Sequence, residues 1–393
     1  MRPKLMLTAM AIAVAAFAMA SQAVAAPQAS ALPQSSALPQ SSALPQSSAG
    51  PWINLFDNET LFGLTPYGDV DWAVRDGNLV SGKGSGGWIS TTSQYGDFEL
   101  TAKLKVAAGW SAGLLVRAGC EGHPSENGST VILISEPEKT EPAWGELAVK
   151  AEGGTVTATL DGQPVEVQAG TRAVGFIGIT YNRNDRPRGG EVQVASLKLR
   201  PISMKPLFNG ADLTGWNIIP EHKSVFTVID GAINIKNGNG QIETAGTYKD
   251  FVVQLDIVSN GSKLNSGVFF RGPVGVFWKG YESQVRNEWV GKNRDKAVDF
   301  GTGGNYGNQP ARKVVSSDGE WFTKTIVVNG NHASIFINGY LASDYLDMRP
   351  VSAESNGKEG YVPGPGTIHL QGHDPTTDLS FKNIVIQEYP AGK

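Results

Sequence analysis

Along most of the chain after residue 50, apolar and polar residues alternate with a period of two. The clearest run is Phe98-Glu99-Leu100-Thr101-Ala102-Lys103-Leu104-Lys105-Val106, and Phe251 to Ile257, Thr325 to Asn329 and Ser334 to Ile337 read similarly. Side chains of an extended chain point to opposite faces in turn, so this alternation predicts strands with one face buried. No amphipathic helical stretch of ten or more residues stands out. Gly, Asp and Asn separate the runs, and Asp161-Gly162 and Asn338-Gly339 carry the hairpin signal. Many short strands with regularly spaced turns predict an all-β chain built from two-sheet sandwiches or jelly rolls.

The pattern occurs twice, about 150 residues apart, a domain-sized rather than solenoid-sized period. Leu55-Phe56-Asp57-Asn58 is echoed by Leu207-Phe208-Asn209-Gly210. Tyr95-Gly96-Asp97-Phe98 is echoed by Tyr248-Lys249-Asp250-Phe251. Ser111 to Arg117 is echoed by Asn265 to Arg271. The matches keep one order, which predicts two copies of one fold, residues 51–201 and 202–393.

Composition narrows the setting. Thirty-three basic residues against 37 acidic ones give no reason to expect nucleic acid or an anionic membrane as partner. Residues 1–26 read as a secretory signal. Arg2 and Lys4 precede an apolar stretch over Leu5 to Ala20, and Ala23-Val24-Ala25 is a small-x-small cleavage site. That stretch is shorter than the ~20 residues of a membrane span, so a periplasmic or secreted protein is expected. Residues 27–50 hold Ala-Leu-Pro-Gln-Ser-Ser three times in a row and read as a disordered linker. The only cysteine is Cys120, so no internal disulfide can form.

The two copies diverge where chemistry is expected. Between Arg271 and Trp321 the second copy carries a long insert with a Gly/Asn-rich loop, Gly301 to Asn308. Long loops on a β scaffold are often functional. The stretch Gly280 to Asn287 alternates so that Glu282, Gln284 and Arg286 share one face, with Tyr281, Ser283, Val285 and Asn287 on the other. A row of Glu, Gln and Arg suits a concave face that holds a polar ligand, or else a solvated outer face. The candidate chemistry falls in the second copy, with the first as a companion that packs against or assists it.

These residues resemble a known family. Leu207 to Trp216 is similar to the opening of the 3-keto-disaccharide hydrolase family, formerly a domain of unknown function. Asn265 to Arg271, Gly280-Tyr281-Glu282-Ser283-Gln284, Glu320-Trp321, Ile337-Asn338-Gly339 and Ile368 to His373 are similar to its later landmarks. The resemblance covers roughly 204–389, and more weakly 51–201. It implies tandem concanavalin-A-like or laminin-G-like jelly-roll β-sandwiches, and cleavage of glycosides whose sugar carries a ketone at carbon 3, by hydrolysis or elimination.

A ketone at carbon 3 acidifies the hydrogen on carbon 2. Such a reaction needs a base, a positive group for the enediolate and an acid for the leaving group. His373 is the expected base. Glu282 is a base, a metal ligand or a carboxylate paired with a neighbouring cation. Arg271 polarises the ketone or pairs structurally. Gln284, Gln371 and Asn287 are expected to bind sugar hydroxyls, and Trp278, Tyr281, Trp289 and Tyr306 are candidates to stack on sugar faces. His369, His373 and Glu282 form a candidate divalent-cation set. The rival from another class is a non-catalytic, lectin-like pair of carbohydrate-binding modules.

Overall fold

Alternation does produce the strands. In Phe98–Val106 the residues Phe98, Leu100, Ala102, Leu104 and Val106 are buried, while Thr101 and Lys103 between them are exposed. The turns follow the sequence as well. Asp76-Gly77, Asp161-Gly162, Asp230-Gly231 and Asn338-Gly339 each place both residues at positive φ. That is the hairpin geometry Asn-Gly and Asp-Gly favour, because it matches the twist of the flanking strands.

The structure is a computed structural model describing residues 49–84, 86–108, 111–121, 127–135, 141–182 and 191–390. The expected export signal and the Ala-Leu-Pro-Gln-Ser-Ser repeat lie outside the described residues. The fold is all-β: four antiparallel sheets make two sandwiches. Residues 53–201 supply an eight-stranded and a six-stranded sheet, and residues 205–388 an eight-stranded and a five-stranded one. Each sandwich has its own core, with Leu100, Leu114 and Leu199 in the first and Phe251, Ile326 and Phe381 in the second. No helix among the described residues is long and apolar enough to cross a membrane.

The described residues all belong to one compact unit. Phe251–Ser259 and His332–Ile337 are buried along nearly their whole length rather than on alternate residues. Val252, Val327, Phe336, Leu341 and Tyr389 of the second sandwich join the apolar cluster of the first. Polar groups meet at the same place: Gln94 Nε2 donates to Asn329 Oδ1 at 2.9 Å, Gln387 Nε2 to the Asp97 carbonyl at 2.8 Å, and Arg312 pairs with Asp57 at 3.0 Å.

The five-stranded sheet carries the candidate chemistry. Its order is Trp216–Ile218, Gly240–Thr244, Thr367–Gly372, Ser266–Gly272, Tyr281–Val285. One face, with Val268, Phe270, Tyr281, Val285, Ile368 and Leu370, closes the core of the second sandwich.

Candidate active site

The other face of that sheet is polar and buried. Directly opposed residues of neighbouring strands share a face. Glu282 pairs with Phe269, Phe269 with His369, and His369 with Glu243. In the next row Gln284 pairs with Gly267, and Gln371 with Gln241. The sequence alternation is therefore realised, but Glu282 and Gln284 are 2% and 1% exposed. They do not form a solvated outer face.

Gly267 makes room for this arrangement. A Cβ there would stand 2.5 Å from Glu282 Oε1 and 2.8 Å from its Cγ. The Glu282 side chain thus lies across the glycine. Its carboxylate receives Lys358 Nζ at 2.9 Å. The Lys358 ammonium also sits 3.8 Å from the centre of the Trp278 ring, 4.7 Å from that of Tyr306 and 5.2 Å from that of Phe269. Ring faces attract a cation, so the three rings and the carboxylate hold it together. Burial raises the Glu282 pKa above the ordinary carboxylate value, opposed by Lys358, His373 and Lys324. Burial lowers that of Lys358, opposed by Glu282. Both shifts come from removing charge from water.

The glutamine row, with Asn265 next to it, leaves atoms unpartnered. Gln284 Nε2 is committed to Asp299, at 3.0 Å to its carbonyl and 3.1 Å to Oδ2, and Asn265 Nδ2 also reaches that Oδ2 at 3.1 Å. Gln241 Oε1 accepts the Trp278 backbone N–H at 2.7 Å. Gln241 Nε2, Gln371 Oε1 and Asn265 Oδ1, however, are buried without a hydrogen-bond partner. Leaving buried polar atoms unpaired costs about 1–3 kcal/mol each. A donor and an acceptor held open on adjacent strands suit a ligand that both gives and takes hydrogen bonds.

Several expected residues stand elsewhere or do something else. Arg271 is buried away from this face: it pairs with Asp250 at 2.9 Å and donates to the carbonyls of Lys249 and Val362, each at 2.9 Å. Arg117 of the first sandwich does the same with Asp97, Gly96 and Gly153. The arginine thus makes the same clamp in both copies, the structural pairing that was one of its two expected roles. Asn287 is also engaged. Its Oδ1 accepts from Thr302 and Ser316, and its Nδ2 donates to Asp318. Tyr281 lies in the core, stacked on Phe270 at 5.2 Å. Trp289 is covered by the Arg294 guanidinium at 4.1 Å.

His373 lies at the rim, its side chain 43% exposed and its Nδ1 3.1 Å from Asp374. His369 is fully buried. Its Nε2 lies 2.6 Å from Thr367 Oγ1 and its Nδ1 3.2 Å from Gln241 Oε1. Burial pushes its pKa down to about 4, so its 3.4 Å approach to Glu243 joins a neutral ring to a carboxylate rather than two ions. The candidate metal set of Glu282, His369 and His373 does not assemble. Each member is engaged by a different partner, and among the described residues no group of three or more His, Cys, Asp or Glu is placed to hold a metal ion.

Sequence reasoning missed Lys358, Gln241, Glu243, Asp299 and Phe269. Gln241 and Glu243 had a signal, since Gly240-Gln241-Ile242-Glu243-Thr244 alternates like the strand of Glu282. Lys358 had none: Ser355-Asn356-Gly357-Lys358-Glu359-Gly360 reads as any polar loop.

The first sandwich shows what the same face looks like without this chemistry. There Gly113 pairs with Leu133, and Leu115 with Val131, where the second has Gly267 with Gln284 and Phe269 with Glu282. Leu115 then pairs with Gly178, and Gly178 with Ser90, in place of His369 and Glu243. Trp88 and Leu115 form an apolar cluster with Tyr67, Val131 and Phe176 packed on it. One fold thus presents an apolar patch in one copy and a carboxylate, amides and an imidazole in the other.

Comparison with known proteins places the chain in a family. The 3-keto-alpha-glucoside-1,2-lyase-like domain matches residues 51–185 and again 203–387, which together make up well over half of the chain. The chain belongs to that family, in two tandem copies. Among solved structures, a candidate glycosyl hydrolase from Parabacteroides distasonis ATCC 8503 is 23% identical with a TM-score of 0.40, over 48% of this chain and 94% of that one. A second such structure from the same organism is 24% identical with a TM-score of 0.39, over 47% of this chain and 99% of that one. The carbohydrate-binding module CBM66 from Bacillus subtilis is 15% identical with a TM-score of 0.32, over 44% of this chain and 96% of that one. No curated protein matches the chain.

Proposed function

We propose that the second sandwich cleaves glycosides of 3-keto sugars, with Glu282 as the base. The observation that carries this is a buried carboxylate of raised pKa, ion-paired to a ring-enclosed ammonium, beside unpartnered amide atoms on the same sheet face. Glu282 takes the proton from carbon 2. The C–H electron pair becomes the enediolate, whose negative oxygen at carbon 3 the Lys358 ammonium balances. The pair then forms the carbon 1–carbon 2 double bond as the carbon 1–oxygen bond breaks, and the departing glycosidic oxygen takes up the proton held by Glu282 and leaves as the free alcohol, which restores the carboxylate. Addition of water across that double bond completes a net hydrolysis. Gln241 and Gln371 fit hydroxyls of the sugar, and Trp278 and Tyr306 line the space around Lys358.

The test is a pair of glucosides differing only at carbon 3. The 3-keto compound should release its alcohol and, in D2O, exchange the hydrogen on carbon 2. The unoxidised one, whose carbon 2 hydrogen is not acidic, should do neither. Binding of unoxidised glycans with no turnover of the 3-keto compound would overturn the reading in favour of a lectin-like module.

Activity should depend on pH in a stated direction. Glu282 must be ionised to act, and burial raises its pKa. Rising pH therefore switches activity on, and the acidic limb of kcat/KM should lie above the ~4.3 of an unperturbed glutamate. A limb at or below that value would remove Glu282 as the base.

The residue 1–26 pattern supports export. The meeting of Val252, Val327 and Phe336 with the first core supports a bracing role for the first sandwich.

A further inference from the structure

Lys324 is a lysine enclosed in the second core, where burial holds its pKa well below the ordinary lysine value, opposed by Glu282. It lies in Phe322–Asn329, between the core residues Phe322 and Ile326, and is fully buried. Its side chain crosses the sandwich to the strand that carries Glu282. There Nζ meets the Ser283 carbonyl at 2.8 Å, Ser283 Oγ at 2.8 Å and the Gln284 carbonyl at 2.9 Å.

The first sandwich fills the same place with carbon. Asp161 Oδ1 accepts the Glu146 N–H at 2.8 Å, and Asn338 Oδ1 accepts the Thr323 N–H at 2.9 Å. These equivalent bonds align Glu146 with Thr323 and hence Leu147 with Lys324. Val268 pairs with Ser283 as Leu114 pairs with Ile132, so Ile132 aligns with Ser283. Leu147 and Ile132 are buried. The fold therefore closes with leucine and isoleucine at these points and does not require a buried lysine. Burying an ammonium is costly even when hydrogen-bonded, and apolar replacements of similar volume are often neutral or stabilising. The cost is present only in the copy whose outward face carries Glu282 and Gln284, where the first copy has Val131 and Leu133.

We propose that Lys324 is a positioning residue for the active site. From inside the core it grips the Ser283 and Gln284 carbonyls, and so fixes the direction in which the alternate side chains Glu282 and Gln284 leave the strand. The strand is last in the sheet order, and on its outer side a loop pairs with it. There the Tyr306 N–H donates to the Glu282 carbonyl at 2.8 Å, the Gly303 N–H to the Gln284 carbonyl at 3.0 Å and the Gln284 N–H to the Gly304 carbonyl at 2.9 Å. The lysine adds a hold from the core side that this loop does not supply. The inference rests on the reading of Glu282 as the base.

The test is Lys324→Leu, with the double variant Lys324→Leu and Ser283→Ile as a second protein that reproduces the first sandwich's core. Thermal midpoint, kcat and KM on a 3-keto glucoside, and the crystal structure are measured for each. The expected result is an unchanged or raised midpoint, kcat lowered about tenfold or more with KM within about twofold, and loss of the 2.9 Å contact between Glu282 and Lys358. A purely structural lysine would move the midpoint and leave kcat alone. The proposal is overturned if both variants keep the Glu282–Lys358 and Gln284–Asp299 contacts, or if they lose them with kcat unchanged. If the wild-type protein turns over no 3-keto glucoside, the functional reading fails by itself, and the crystal structures still decide whether Lys324 holds the strand.

Discussion

Replacing Glu282 by glutamine is expected to lower kcat on a 3-keto glucoside by about 10²–10⁴-fold, the range a positioned general base contributes. The amide keeps the volume and the reach over Gly267 but cannot accept the carbon 2 proton. The protein should remain folded, because two effects oppose each other. Burial disfavours the ionised carboxylate, and glutamine removes that cost. Lys358 loses its ion pair but keeps the rings of Trp278, Tyr306 and Phe269. Steady-state kinetics with a thermal melt checks both halves. In D2O the variant should also stop exchanging the carbon 2 hydrogen, which separates lost proton abstraction from lost binding. Retained exchange with lost cleavage would move the base elsewhere, and His373 at the rim is then the next group to replace.

Much of this site could be read from the chain, for a definite reason. A strand displays its residues in a fixed alternation, so Glu282 and Gln284 had to share a face, as did His369 and Gln371. Which face was outward was decided by the fold, which puts Tyr281, expected as a sugar-stacking ring, and Val285 in the core. The tandem fold was legible because Asp-Gly and Asn-Gly turns and the Arg117 and Arg271 landmarks recur in order. That recurrence also held the answer to the role of Arg271. An arginine kept in both copies, beside Asp97 in one and Asp250 in the other, belongs to what the copies share, which is the fold. Lys324 was not singled out from the chain: its match with Leu147 of the first copy emerges from the equivalent Asp161 and Asn338 turn hydrogen bonds. What the sequence could not show is Lys358. It reaches Glu282 from 76 positions away, out of a loop whose path is set by tertiary contacts and not by periodicity. The surroundings of the histidines were hidden for a related reason: their spacing puts them on one face, but only the fold decides that His369 is sealed under Gln241 and Thr367 while His373 stays half in water.

Replacing Arg271 by leucine is expected to destabilise the protein by about 3–5 kcal/mol, the cost of breaking a buried ion pair by removing one partner. The low end applies, since the Asp250 side chain is 22% exposed and also accepts the Gly330 N–H at 2.8 Å. The Lys249 and Val362 carbonyls lose their donors as well, and leucine cannot span the gap. Denaturant unfolding measures the change. Kinetics on the folded fraction should show kcat within a few-fold of wild type, because the Lys358 loop has other anchors. Arg349 donates to the carbonyls of Gly357 and Lys358 and pairs with Asp347, which also receives the Tyr281 hydroxyl at 2.7 Å. Arg117→Leu should cost a similar amount through the same clamp in the first sandwich. A stable Arg271→Leu protein whose kcat falls by orders of magnitude would return that guanidinium to the chemistry, and would mean that the clamp and the site are one device rather than two.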